Sequence, residues 1–193
     1  MQEVKSTIDS LLEEHEETLK GLWDKTPDIA RLRDVLVDLV KRDGLLMLCG
    51  NGGSAADAIH WAAEWRARFK HDRRALRAEA LTTDVSTMTA IGNDFGFEKL
   101  FSRQIEAVGR KGDVLIVIST SGNSPNIVRA VEVAKELGIL TVGFGGKGGG
   151  EMGKLVDIPY VIDSSVTARI QEMHELTMHV LCELVDQWLE DGE

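Results

Sequence analysis

The sequence predicts an α/β protein in which a mostly parallel sheet lies between two layers of helices. From residue 45 onward, short and continuously apolar runs alternate with helical segments, and three of these runs end in polar or glycine-rich loops. Continuous apolar runs are typical of strands buried on both faces, and helical connections between them are typical of parallel sheets. In such sheets ligands bind at the carboxyl ends of the strands, which is where these loops lie.

The composition narrows the class of protein. The chain has 193 residues, a formal net charge of −10, 43% hydrophobic residues and 19 glycines. This length and hydrophobic content predict a single domain over residues 1–193. The acidic balance disfavours nucleic acid and anionic membrane surfaces as partners, and no apolar stretch is long enough to cross a bilayer.

Two further features predict a cytoplasmic protein. The first ten residues carry charges throughout and lack the apolar run of a secretory signal. Cys49 and Cys182 lie far apart, each in an apolar stretch, which favours two unpaired thiols over a disulfide.

Residues 1–43 predict a helical extension that precedes the sheet. Apolar residues recur every three or four positions from 4 to 41, with a break near Thr26 and Pro27. Thr26 can cap the second helix and Pro27 can occupy its first turn. We expect these two helices to form the interface of an oligomer.

The same patterns place the remaining elements. Strands are predicted at 45–49, 78–81, 114–118, 139–144 and 157–162, and helices at 55–70, 85–91, 98–108, 125–137 and 167–190. The glycine run at 145–150 predicts a flexible connection between a strand and a helix.

Two of the loops combine groups that can hold a phosphate. Residues 50–54 read Gly-Asn-Gly-Gly-Ser and end at a helix start, where free N–H groups and the helix dipole favour an anion. The second loop offers four hydroxyls, those of Ser119, Thr120, Ser121 and Ser124. Serine and glycine also cluster in ordinary turns, but two such loops after buried strands favour a small phosphorylated ligand. Neither loop has the pattern of a P-loop or of a dinucleotide-binding turn.

Two helices carry polar side chains with catalytic or metal-binding chemistry. His60 and Glu64 are four residues apart on one helix, and Gln171, Glu175 and His179 repeat that spacing on the last helix. A carboxylate and an imidazole near a phosphate site suit enolisation of a sugar. The set His60, Glu64, Gln171 and His179 is equally suited to one divalent ion, and the two roles compete because a metal-bound carboxylate is a weaker base. Helix-face packing or a subunit contact is the favoured role of the neighbouring Trp61 and Trp65.

These residues carry a resemblance to a known family. The chain reads Gly-Asn-Gly-Gly-Ser-Ala-Ala-Asp-Ala-Ile-His at 50–60 followed by Glu64, Ala-Ile-Gly-Asn-Asp-Phe-Gly at 90–96, Ser-Thr-Ser-Gly-Asn-Ser at 119–124, and Arg-Ile-Gln-Glu-Met-His at 169–174 followed by His179. It resembles, over nearly its whole length, the phosphoheptose isomerases of the sugar isomerase (SIS) domain superfamily.

The resemblance implies a flavodoxin-like fold of three layers, a homotetramer with active sites between subunits, and one zinc ion per subunit. It implies conversion of sedoheptulose 7-phosphate to D-glycero-D-manno-heptose 7-phosphate through a cis-enediol, the first step toward heptose of lipopolysaccharide or related glycans. Glu64 would be the base and His179 the acid, and zinc would be bound by His60, Glu64, Gln171 and His179. The substrate would be held by the four loop hydroxyls together with Asn51, Gly52, Gly53, Glu64, Asn93, Asp94 and Gln171.

Two alternatives stay open at this point. One is a non-catalytic SIS adaptor that associates with a replication initiator, which is expected to lack the acid and base that this chain has. The other is a SIS isomerase or lyase that acts on another sugar phosphate, since Arg66 and the two tryptophans make the surroundings of Glu64 bulkier and more basic than expected.

Overall fold

The computed structural model describes residues 1–192 and has the predicted α/β architecture. The strands are β1 Leu46–Gly50, β2 Ala78–Ala80, β3 Val114–Ser119, β4 Leu140–Gly145 and β5 Ile158–Val161. The helices are α1 Gln2–Lys20, α2 Thr26–Lys41, α3 Gly53–Arg66, α4 Val85–Phe95, α5 Ser102–Val108, α6 Pro125–Glu136, α7 Gly150–Leu155 and α8 Thr167–Glu190.

All strand pairs are parallel, and the strand order is β2-β1-β3-β4-β5. This is the flavodoxin-like order, in which the direction of strand addition reverses between β1 and β3. A crevice opens at that switch point, above the carboxyl ends of the two strands. The loops after β1 and β3 are the two loops for which the sequence predicts phosphate binding.

Each face of the sheet packs against its own layer of helices. Helices α2, α3 and α8 cover one face, with Trp61 and Trp65 fully buried among them. Helices α4, α5, α6 and α7 cover the other face. The burial of both tryptophans confirms their packing role, and the Trp61 ring meets Phe144 of β4 edge to face at 5.3 Å.

The N-terminal helices differ from each other in burial. Helix α2 buries an apolar stripe against α8, whereas α1 has no buried residue. Polar contacts hold α1 to α8: Arg169 donates to the carbonyl of Leu11 at 2.6 Å, and His15 meets Glu172 at 2.7 Å. The expected cap at Thr26 was wrong, because this residue already lies in α2 and its hydroxyl donates to the carbonyl of Trp23.

The predicted helix over 55–70 was too long at its C-terminal end. The chain leaves α3 after Arg66 because the guanidinium of Arg73, in the loop that follows, donates to the carbonyls of Glu64 and Trp65 at the end of the helix. Arg73 is fixed by an ion pair with Asp186 of α8 at 2.7 Å, and both side chains are buried. The periodicity of the sequence does not reveal a contact between residues so far apart.

Candidate active site

The two loops at the switch point are joined by a pair of asparagines. The Asn51 side-chain amide donates to Asn126 Oδ1 at 2.9 Å, and the Asn126 amide donates back to Asn51 Oδ1 at the same distance. Asn126 is 1% exposed and lies in the first turn of α6. This reciprocal pair fixes the spacing between the loop after β1 and the loop after β3.

A cavity of about 190 Å³ opens between these loops and the start of α8. Its lining is rich in hydroxyls and amides and contains no Lys or Arg; it consists of Asn51, Ser54, Ile118, Ser119, Thr120, Ser121, Ser124, Thr167 and Gln171. The first turns of α3 and α6 both begin beside it, so their helix dipoles favour an anion there. The lining therefore offers neutral hydrogen-bond donors of the kind that can hold an anion.

The loop over residues 119–124 is supported from behind by the glycine run at 145–150. Gly122 has a φ of 65° and lies so close to the carbonyl of Gly149 that no side chain fits between them. The amide of Met152 donates to the Gly122 carbonyl at 2.9 Å, and the amide of Glu151 donates to Asn123 Oδ1 at 3.0 Å. These glycines therefore serve close packing behind the hydroxyl loop, a role that the sequence alone did not indicate.

Gln171 links this cavity to α8. Its side-chain amide lies against Gly53, where a Cβ atom would come within 2.5 Å of Gln171 Nε2. One helical turn further along α8 is Glu175, about 6 Å away along the axis. The stripe of polar residues on α8 therefore leads from the cavity toward His60 and Glu64 on α3.

His60 stands between two carboxylates. Its Nε2 atom is 3.1 Å from Glu64 Oε1, and its Nδ1 atom is in short contact with Glu175 Oε1. His179 lies on the Glu175 side, with its Nε2 atom 3.9 Å from Glu175 Oε1 and its ring 5.1 Å from that of His60. Side chains of α3 and α8 therefore converge, but they do so around Glu175 and not as the predicted set of four.

A third carboxylate, Asp57, faces the same cluster from α3. Burial raises the pKa of Asp57 to about 6; the negative charge of Glu175 acts in the same direction and His60 acts against it. Its Oδ2 atom is buried without a hydrogen-bond partner. The cluster therefore holds an excess of negative charge around two imidazoles.

This donor set fits a divalent metal. The ligand atoms of His60, Glu175 and His179 all lie within 4.8 Å of one another, and imidazole nitrogen with carboxylate oxygen is the chemistry that zinc accepts. The predicted ligand set is brought together only in part, since Glu64 meets His60 alone and Gln171 points to the cavity with the hydroxyls.

Other expected site residues lie apart from this cluster. Asn93 and Asp94 are exposed near the end of α4, where the Asn93 amide donates to Asp94 Oδ1 at 2.8 Å. Neither lines the cavity between the loops. Four residues of the site received no role from the sequence. Asn126 and Thr167 had no visible signal, Asp57 lay within the quoted motif, and Glu175 belonged to the recognised stripe.

A flavodoxin-like sheet whose switch point presents hydroxyls, glycines and two helix starts defines an α/β protein with a crevice suited to a small anionic ligand. The family model described as SIS domain matches residues 7–146. Phosphoheptose isomerase of Campylobacter jejuni serotype O:6 is 54% identical over 171 residues, which cover 89% of this chain and 89% of that protein. Phosphoheptose isomerase 1 of C. jejuni serotype O:2 is 51% identical, covering 91% and 94% of the two chains.

Solved structures agree with these matches. The phosphoheptose isomerase of Francisella tularensis superposes with a TM-score of 0.92 at 36% identity, covering 95% of this chain and 98% of that one. The enzyme of Neisseria gonorrhoeae gives a TM-score of 0.90 at 37% identity, covering 95% and 99%. The chain belongs to the phosphoheptose isomerase family of SIS domain proteins.

Proposed function

We propose that this chain is an aldose–ketose isomerase that converts sedoheptulose 7-phosphate to D-glycero-D-manno-heptose 7-phosphate, the first step toward activated heptose precursors. Relatives of 42–54% identity carry the name phosphoheptose isomerase. One structural observation carries the proposal: a carboxylate and two imidazoles from α3 and α8 meet beside a cavity that is built for a phosphate.

The phosphate end of the substrate is held at the switch point. The hydroxyls of Ser119, Thr120, Ser121 and Ser124 and the amides of Gly52 and Gly53 surround the phosphate, and Asn51 and Gln171 contact the sugar. His60 lies six residues beyond Ser54 along α3, which is about 9 Å along the helix axis. An extended heptose chain spans that distance, so its carbonyl end reaches the His60 cluster.

The reaction moves one hydrogen between two neighbouring carbons. Glu64 takes the proton from C1 of the ketose, and the C2 carbonyl oxygen accepts a proton from His179, which gives a cis-enediol. Return of the proton from Glu64 to C2, with transfer of the hydroxyl proton on O1 back to His179, gives the aldose and restores both side chains. No atoms are gained or lost, so this chain has to supply one base, one acid and a binding site that excludes water.

We further propose that the cluster holds one zinc ion per subunit, bound by His60 and His179 with a carboxylate. When bound, a divalent ion polarises the oxygens on the two reacting carbons. The chain's own side chains position the substrate and carry the proton.

The biological setting is likewise a proposal. A homotetramer with sites between subunits is supported by the exposed apolar face of α1 and by the exposure of Asn93 and Asp94, which leaves them free to reach a neighbouring subunit's substrate. Both cysteines are free, which fits a reducing cytoplasm. Within residues 1–192 no helix is long and apolar enough to cross a membrane. We assign the product to lipopolysaccharide or a related glycan.

Product analysis tests this function directly. Purified protein is incubated with sedoheptulose 7-phosphate, and the sugar phosphates are identified by NMR; we expect the aldoheptose 7-phosphate to appear.

Glu64→Gln keeps the size of the side chain but cannot take a proton, so turnover is expected to fall by about 100-fold or more while substrate binding stays within a few-fold. Glu132→Gln is the matched control, because Glu132 is a half-exposed residue of α6 that pairs with Arg129 away from the cavity. Full turnover by Glu64→Gln would remove Glu64 from the mechanism, and absence of any aldose would overturn the proposed reaction.

A further inference from the structure

We propose that Lys147 completes the phosphate site: it supplies a positive charge at the rim of the cavity and turns the hydroxyl of Thr167 into that cavity. This inference deepens the proposed function and rests on it, because it assigns a further residue to the cavity at the switch point. Three observations carry it, namely the position of Lys147 beside the cavity, its lack of a carboxylate partner within residues 1–192, and its backbone conformation.

Lys147 lies in the loop after β4, next to the loop that carries the four hydroxyls. Ser119 at the end of β3 pairs in register with Gly145 at the end of β4, so the loops that follow these two strands are neighbours. From its loop, Lys147 Nζ donates a hydrogen bond to Thr167 Oγ1 at 3.0 Å. Thr167 is the first residue of α8 and belongs to the lining of the cavity. The ammonium group is therefore one side chain away from the space assigned to the phosphate.

The hydrogen bond from Lys147 fixes the direction of the Thr167 hydroxyl. An ammonium group donates and cannot accept, so Thr167 Oγ1 is the acceptor and its own hydrogen is left for another partner. In the part of the chain that the structure describes, that hydrogen has no acceptor. An oxygen of a bound phosphate can accept it, which adds a fifth hydroxyl to those of the loop at 119–124.

The charge of Lys147 is poorly placed unless an anion binds beside it. Its ammonium group lies at the N-terminal end of a 24-residue helix, where the helix dipole disfavours a cation. No acidic residue occupies the first turn of α8, and within residues 1–192 no carboxylate pairs with Lys147. A phosphomonoester carries about two negative charges at neutral pH. Such a ligand would compensate both the ammonium group and the helix terminus.

The backbone of Lys147 also points to a role for its side chain. Its φ is 53°, in the left-handed region that is costly for a residue with a side chain, and among the non-glycine residues of 1–192 only Asp43 shares this feature. Glycines precede and follow Lys147, and glycine would adopt this conformation without strain. The amide of Lys147 donates to the carbonyl of Ser164 at 3.1 Å, which holds the loop beside the start of α8.

Binding of glycerol 3-phosphate to the full-length protein, followed by ³¹P NMR titration, tests the assignment. This ligand is a phosphomonoester without a carbonyl group, so the result does not depend on the proposed reaction. Lys147→Gln removes the charge, Lys147→Arg keeps it, and Thr167→Val removes the hydroxyl. Lys154→Gln is the control, because Lys154 is an exposed lysine of α7 that pairs with Glu151.

We expect Lys147→Gln and Thr167→Val each to weaken binding of glycerol 3-phosphate about tenfold, which is the effect of losing one hydrogen bond to a charged group. Lys147→Arg should stay within about threefold of wild type because it keeps the charge, and Lys154→Gln should bind as wild type does. Wild-type affinity in Lys147→Gln or Thr167→Val would overturn the assignment, as would an equal loss in Lys147→Arg or in Lys154→Gln. Wild-type protein that does not bind glycerol 3-phosphate would overturn the phosphate site as a whole.

Lys147→Gly separates a role in binding from a role in folding. Glycine relieves the left-handed strain, so thermal unfolding of this variant should resemble that of wild type, while binding of glycerol 3-phosphate weakens about tenfold. Lower stability with unchanged affinity would make Lys147 a structural residue and contradict the proposal. If glycerol 3-phosphate binds in a Lys147-dependent way but sedoheptulose 7-phosphate is not isomerised, the proposed reaction fails and the assignment of Lys147 stands.

Discussion

Because Gly53 has no side chain, the amide of Gln171 can lie against the start of α3. Gly53 starts α3, and the amide of Gln171 occupies the space where a Cβ would be. Its backbone does not have the positive φ that favours glycine, so alanine is compatible with the main chain and incompatible only with the position of Gln171. The two effects can therefore be separated by mutation.

Gly53→Ala is expected to lower kcat/KM about tenfold or more by displacing Gln171, while the free energy of unfolding changes by less than about 1 kcal/mol. Steady-state kinetics and thermal unfolding measure the two quantities. Gly92→Ala is the control, because Gly92 lies in α4 with nothing within 4 Å of its would-be Cβ. Unchanged kinetics in Gly53→Ala would mean that Gln171 does not contact the substrate.

Asn126 acts through Asn51 rather than on the substrate. Asn126→Ala removes both hydrogen bonds of the pair and leaves the Asn51 amide without its partner, which costs about 1–3 kcal/mol where the groups are buried. We expect KM for the sugar phosphate to rise more than kcat falls, because the spacing of the two phosphate loops is relaxed. The double variant Asn51→Ala/Asn126→Ala should lose little more than Asn51→Ala alone. Additive losses would show that the two residues act independently.

At the scale of elements, the sequence predicted the buried strands and the last helix well and several other helix bounds poorly. Besides the C-terminal end of α3, α4 extends to Phe95 and not to 91, α5 begins at Ser102 and not at 98, and α7 was not predicted. Helix α8 has the predicted bounds, and β1, β3 and β4 lie within one residue of theirs, because continuous apolar runs ending in glycine or serine mark buried parallel strands. The end of α3 depends on Arg73 and Asp186, which are 113 residues apart. Local periodicity contains no information about such a pair.

The Arg73–Asp186 pair holds the C-terminal end of the helix that carries Glu64. Asp186 also accepts hydrogen bonds from the backbone amides of Lys70 and His71. Burial alone would raise the pKa of Asp186, but the hydrogen bonds from Arg73 and from these amides hold it below its usual value. The pair thus fastens α3, the following loop and α8 at one point.

Removing one partner of this buried pair leaves an uncompensated charge. We expect Arg73→Met or Asp186→Leu to lower the free energy of unfolding by about 3–5 kcal/mol, and the double variant to recover much of the loss. Chemical denaturation of all four proteins measures the coupling energy. If the losses of the single variants add in the double variant, the pair is not a coupled unit.

At the scale of the whole molecule, the acidic net charge is compatible with the proposed phosphate site, because the charged residues and the residues of that site lie in different places. The formal net charge is −10, yet the cavity at the switch point is lined by hydroxyls, amides and glycine-rich backbone. These two loops could be predicted from the sequence, because residues with hydroxyl groups and glycines directly follow the apolar runs of the strands. The sequence did not show which carboxylate reaches His179. The relative orientation of α3 and α8 depends on how both helices pack on the sheet.

The outer helix α1 presents an apolar face that one chain does not cover. Val4, Ile8, Leu11 and Leu12 repeat at helical spacing, and Leu12 is 64% exposed. Polar contacts to α8 hold the helix in place without burying this face. This exposed face supports the prediction that residues 1–43 form a helical extension at the interface of an oligomer.

We expect the protein to sediment as a species of four times the chain mass of 21.2 kDa, with the apolar face of α1 buried between subunits. Ile8→Glu/Leu12→Glu places two charges in that contact, whose desolvation would be uncompensated, so dissociation to smaller species is expected. Ser10→Glu, which adds a charge to the polar side of the same helix, is the control and should remain a tetramer. Sedimentation velocity measures the assembly, and kcat/KM should fall with dissociation because the active sites are proposed to lie between subunits. A wild-type monomer with full activity would contradict both the tetramer and the shared sites, whereas an intact tetramer in the double variant would move the interface away from α1.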